Sequence, residues 1–109
     1  MIEGEVLVIT AVRTANFQEG KAPAAIEWAL KVANYINENH GWNVQVTQNV
    51  TGMLNQVHWV STHESLGTLD ERGAQLNADA GFQALIAEAA EAQLFVGSSI
   101  TDALYRSVP

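Results

Sequence analysis

The chain has 109 residues, a net charge of −7 and no cysteine, with 48% hydrophobic residues but only 16% charged ones. An average globular protein carries about 25% charge. The bases Arg13, Lys21, Lys31, Arg72 and Arg106 are scattered, which excludes the basic footprint that a nucleic-acid partner needs. The lack of cysteine excludes disulfides, thiolate nucleophiles and cysteine-ligated metals.

No stretch reaches the length of a membrane span, so no membrane partner is expected. Glu3 and Glu5 stand before the first apolar run where a signal peptide would have basic residues. The expectation is a cytoplasmic protein folded as one domain over residues 1–109. By size scaling such a chain buries about two thirds of its surface, enough for a core without staples.

Val6 to Val12 is an unbroken apolar, β-branched run and predicts a first strand buried on both faces. A polar loop through Asn16, Gln18 and Gly20 follows. Pro23 suits the first turn of a helix, which runs to Asn39 and closes at His40 and Gly41. Glu27, Lys31, Asn34 and Glu38 form its one narrow wet stripe, with Glu27 and Lys31 spaced for an i,i+4 pair. The other flanks are apolar, Trp28, Val32 and Tyr35 along one of them, which is more than a helix lying on a sheet requires.

Val44, Val46 and Val50 alternate with Asn43, Gln45, Thr47 and Asn49 as in a strand with one face on a core. The turn Thr51 to Asn55 then predicts a hairpin with a third strand over Gln56 to His63. Ser65 and Asp79 are placed to cap helical stretches, the first carrying Leu66, Leu69 and Leu76, the second Phe82, Leu85, Ile86 and Ala89. Gly73 and Gly81 make this a broken helix or a helical pair. Leu94, Phe95 and Val96 begin a last strand towards Tyr105.

The fold class is therefore α+β, a ferredoxin-like β-α-β-β-α-β chain with an antiparallel sheet and its helices on one face. The other face is bare, and the two-sided apolar first strand predicts that a second protomer covers it, sheet to sheet. The first strand, the Trp28 and Tyr35 flank and the last strand are the elements such a homodimer should cover.

The sequence assigns no reaction, so whether the chain is an enzyme stays open. Phosphate-binding glycine loops and a G-x-S-x-G serine elbow are absent. His58 and His63 lie five apart on one strand and face opposite sides, and after His63-Glu64 position 67 is Gly where a zinc-protease helix needs its second His, so neither metal nor cofactor is expected. His40 complements a helix C-terminus. One constellation remains: Gln45, Thr47 and Asn49 beside Trp59, Ser61 and His63, expected to line the bare side of the sheet as a pocket for a small, largely apolar organic ligand. Arg13 joins it as a positioning residue, and His63 is the candidate proton acceptor. A one-residue slip of the strand would put His58, Val60 and Thr62 there instead.

From the hairpin onwards, Asn55-Gln56-Val57, Ser65-Leu66, Asp70, Arg72, Leu76, Asp79, Phe82 and Gln83 resemble the NIPSNAP family of the dimeric α/β-barrel superfamily in order and spacing. The resemblance covers about the C-terminal half; the first strand lacks the family's Glu-Leu-Arg-x-Tyr type of pattern. Where the family strand places His and then an aromatic, this chain has Trp59 and Ser61, with His58 one position off, so no role for that His carries over. The resemblance implies a ferredoxin-like protomer paired into a barrel, with a cavity between sheet and helices or inside the barrel. It implies little chemistry: superfamily members include cofactor-free monooxygenases, haem-degrading enzymes and isomerases, and an oxygenase or isomerase of aromatic substrates stands as the alternative to simple binding, with an assembly module without a ligand as a third reading.

Overall fold

The computed structural model describes residues 7–109, so Val6 and the two glutamates before it lie outside the described residues. The elements are β1 (Ile9–Asn16), α1 (Ala22–His40), β2 (Gln45–Gln48), β3 (Gln56–His63), α2 (Leu66–Asn77), α3 (Ala80–Glu91), a 3-10 turn at Gly97–Ser99 and β4 (Thr101–Arg106). The strands form one antiparallel sheet in the order β2-β3-β1-β4. This is the ferredoxin-like α+β arrangement, with the second helical segment divided in two.

β1 begins later and ends later than the apolar run suggests. Asn16 pairs with Gln56 and Arg13 with Trp59, so the polar half expected as loop is strand, held by a full antiparallel register against β3. The hairpin and the caps follow the sequence closely. β3 spans Gln56–His63 as expected. Ser65 Oγ accepts from the Thr68 N–H, and Asp79 Oδ1 from the N–H groups of Gly81 and Phe82, satisfying the first amides of α2 and α3. The break between these helices falls at Ala78 and Asp79, leaving Gly73 inside α2. Gly41 closes α1 in the left-handed conformation at φ 67°, its N–H reaching the Asn37 carbonyl.

Ala25, Trp28, Ala29, Val32, Ala33 and Ile36 form the buried stripe of α1, packed with Val57, Leu76, Phe82, Leu85, Ala89 and Leu94. The Trp28 and Tyr35 flank is thereby covered by α3 of the same chain, not left for a partner as expected. Trp28 is buried, with its Nε1–H on the Leu85 carbonyl, and the Tyr35 hydroxyl donates to Asp79 at 2.7 Å. Lys31 pairs with Glu88 of α3 at 3.1 Å instead of with Glu27. Val50 leaves the β2 alternation and is 92% exposed in the hairpin loop.

The triple Leu94, Phe95 and Val96 is not a strand. Leu94 enters the core and Phe95 makes one isolated bridge to Phe17, so these residues carry the chain from α3 to β4 and their apolar character serves packing. α1 and α2 make their sheet contacts on β2 and β3. The helix-side surface of β1 and β4 is therefore left incompletely filled.

Candidate functional site

Residues paired in register share a sheet face. Ile9, Ala11, Arg13 and Ala15 therefore lie with His63, Ser61, Trp59 and Val57, and this is the helix side, where Val57, Ser61 and His63 are buried. The other face carries Thr14 with His58, Val12 with Val60, and Thr10 with Thr62. Trp59, Ser61 and His63 thus point away from the bare side, opposite to expectation, and His58, Val60 and Thr62 occupy it. Ser61 and His63 are polar but satisfied internally, by each other and by Arg72, and need no solvent.

The expected site residues fall in three places, with Gln45 and Thr47 on the bare face beside Val60 and His58. Arg13 and Trp59 line a cleft of about 540 Å³ between the sheet and the C-terminal half of α3, with Trp28, Ile86, Ala89 and Phe95. Ser61 and His63 lie outside its lining, at the end of β3 under α2. Asn49 is on the bare side, where the His58 Nε2–H donates to its Oδ1 and its own Nδ2 donates to Gln56 Oε1 at 3.1 Å. Thr14 Oγ1 meets the other His58 nitrogen at 2.7 Å, so the imidazole bridges β1 to the end of the hairpin.

The cleft's inner wall is aromatic. Trp28, Trp59 and Phe95 meet edge to face, with centroids 6.1, 5.5 and 5.7 Å apart, a geometry that favours ring pairs. Both indole N–H groups are committed: Trp28 to the Leu85 carbonyl at 2.9 Å, Trp59 to that of Ala29 at 3.2 Å. These bonds fix the rings and leave only carbon surface towards the cleft.

Polar groups stand at its mouth. Arg13 Nε and Nη2 donate to the two carboxylate oxygens of Asp102 at 2.8 and 2.9 Å. This bidentate bond is the main cause that raises the guanidinium pKa further and holds the Asp102 carboxyl below its ordinary value. Both side chains are about half exposed, which limits the pair's contribution to stability. Sequence reasoning missed Phe95, Ile86, Lys21 and Gln93 as lining residues; only the apolar triple around Phe95 carried a signal, and it read as strand.

At His63 the tautomer follows from its neighbours. Arg72 Nη1 lies 3.0 Å from Nδ1 and can only donate, so Nδ1 carries the lone pair and the Nε2–H donates to Ser61 Oγ at 2.8 Å. Trp42 stands edge-on to the ring, centroids 5.1 Å apart. Burial first, then the Arg72 charge, lowers the His63 pKa below its ordinary value of 6.5. The pair has the outline of a serine and its base, but here the histidine donates to the serine, and its lone pair is occupied by Arg72.

No protein-family model matches the sequence, and no curated protein matches it. Solved structures do match. A NIPSNAP family protein of unknown function from Agrobacterium tumefaciens superposes with a TM-score of 0.77 at 18% identity, over 93% of this chain and 88% of that one. A second NIPSNAP family protein from the same organism gives 0.73 at 20% identity, over 94% and 92%. A candidate antibiotic biosynthesis monooxygenase from Deinococcus radiodurans gives 0.66 at 11% identity, over 93% of each chain. In fold, then, this chain is NIPSNAP-like, and the likeness extends over nearly its whole described length.

Proposed function

We propose that the protein binds a small, largely apolar organic molecule in the cleft between the sheet and α3. The observation that carries this reading is the wall of three pinned aromatic rings facing about 540 Å³ of space, with a few polar groups at the rim, which is the usual make-up of a small-molecule site. Two of the residues singled out from the sequence, Arg13 and Trp59, belong to it. The reading differs from the sequence-based one in place: the pocket is on the helix side of the sheet.

The same reading includes a homodimer joined through the bare sheet face. Val12 and Val60 pair at its centre and Ala103 continues their row on β4, an apolar row with no layer over it among the described residues. A second copy packed sheet to sheet covers that row and would enclose the His58, Thr14 and Asn49 bonds in the interface.

An isomerase, or an oxygenase such as the name of the Deinococcus radiodurans neighbour gives, has less support. His63, the candidate proton acceptor for such a reaction, lies outside the cleft with its lone pair on Arg72. An assembly module without a ligand leaves the aromatic cleft without a use. Native mass spectrometry of protein purified gently from cells tests binding: an organic adduct that is lost in Trp59→Ala supports it. Bare masses throughout, together with a crystal structure in which side chains fill the cleft, would refute it.

A further inference from the structure

Granting the proposed binding site, we infer that its ligand class is a planar aromatic carboxylate, its ring against Trp59 and Phe95 and its acid group held at the mouth by Arg13 and Gln93. Three independent observations support the assignment.

The first is the guanidinium. Asp102 takes the Nε and Nη2 side of Arg13, which fixes the plane of the group and leaves Nη1 without a partner among the described residues. A guanidinium has five N–H donors, so the free end still presents hydrogens that a second carboxylate can accept in the same plane. The Asp102 bond therefore pre-orients Arg13 for an anion rather than consuming it.

The second is the distribution of charge. The chain has five basic and twelve acidic residues, yet the cleft is lined by two bases, Arg13 and Lys21, and one acid, Glu19. With Asp102 paired to Arg13 at the rim, two bases balance two acids there, in a chain whose net charge is −7.

The third is backbone strain. Gln93 follows the end of α3 with φ 52°, in the left-handed region. That position after a helix is ordinarily glycine, because a side chain there costs stability. Gln93 lines the cleft as an exposed residue, and its side-chain amide has no protein hydrogen-bond partner among the described residues. A residue kept in this conformation at the rim, with its amide open to solvent, is available to donate to a ligand's acid group. The apolar wall meanwhile presents no donor, both indole N–H groups being committed to carbonyls, so the polar end of the ligand must lie at the mouth.

Calorimetric titration of the whole chain with 1-naphthoate and with its neutral analogue 1-naphthalenemethanol tests this. The acid should bind at least tenfold more tightly, and Arg13→Met should bring the two affinities to within about twofold of each other. Gln93→Gly gives a second, oppositely signed readout: relief of the strain raises Tm by a few °C while affinity for 1-naphthoate falls severalfold. Equal affinity for acid and alcohol overturns the carboxylate class and leaves the apolar site standing. Failure of both to bind overturns the site and the ligand class together. A Gln93→Gly protein with raised Tm and unchanged affinity removes Gln93 from the assignment.

Discussion

The Tyr35 ring lies where a side chain on Gly81 would be: a Cβ built there stands 2.1 Å from Tyr35 Oη and 2.7 Å from its Cζ. Glycine at the second residue of α3 is what lets the Tyr35 hydroxyl reach Asp79 at 2.7 Å. Gly81→Ala is thus expected to lower Tm by several °C, although alanine ordinarily favours helix. Part of that loss should vanish in a Tyr35→Phe background, because both changes break the same hydrogen bond. Thermal unfolding of the four proteins in the cycle checks the coupling; strict additivity would contradict the contact.

Asp79 sets an acid limit. Hydrogen bonds from Tyr35 and His40, and then from the amides of Phe82 and Gly81, hold its carboxyl down to about 2 from 3.8. A carboxyl with a depressed folded value stabilises the fold above its unfolded value, and that contribution fades as pH falls through 3.8 towards about 2. Stability measured by chemical denaturation should therefore drop across this window. Asp79→Asn should be less stable at pH 7 and show a shallower drop.

His63 acts higher on the pH scale but with the same sign. Its folded value is lowered, chiefly by burial and then by Arg72, so folding favours the neutral ring. The unfolded chain binds the proton first, and stability should fall as pH drops below 6.5. Arg72→Met should raise the His63 pKa measured by NMR only partway back, since burial, the larger cause, remains. A return all the way to 6.5 would contradict that ranking of causes.

The bare sheet face gives a prediction on assembly. Val60 sits at its centre, paired with Val12 and Gln45. Val60→Glu should yield a folded monomer in analytical ultracentrifugation where the parent sediments as a dimer, with an unchanged far-ultraviolet spectrum. A parent chain that is monomeric at high micromolar concentration would contradict the sheet-to-sheet pairing.

Local signals carried most of the fold. The caps Ser65 and Asp79, the Gly41 stop and the hairpin turn are short-range chemistry, and each falls where the sequence places it. The site was legible only in part because a strand has a side-chain period of two, and the side of the sheet that β3 presents to α1 depends on packing far away in sequence. Trp59 faces inward because the Ala29 carbonyl and the ring edges of Trp28 and Phe95 receive it. His63 looks like a surface residue until Arg72, nine positions on, is seen to satisfy it. Arg13 was in view as a positioning group, but nothing near it in sequence announces Asp102 or the strained Gln93.

The three tryptophans offer the most direct test of where a ligand goes. Trp28 and Trp59 line the cleft, whereas Trp42 packs on His63 outside it. In a ¹H–¹⁵N spectrum each gives one indole N–H signal, assignable by single Trp→Phe substitutions. On titration with 1-naphthoate the signals of Trp28 and Trp59 should move in a saturable way while that of Trp42 stays in place; movement of Trp42 alone, or of none, would contradict a ligand site in this cleft.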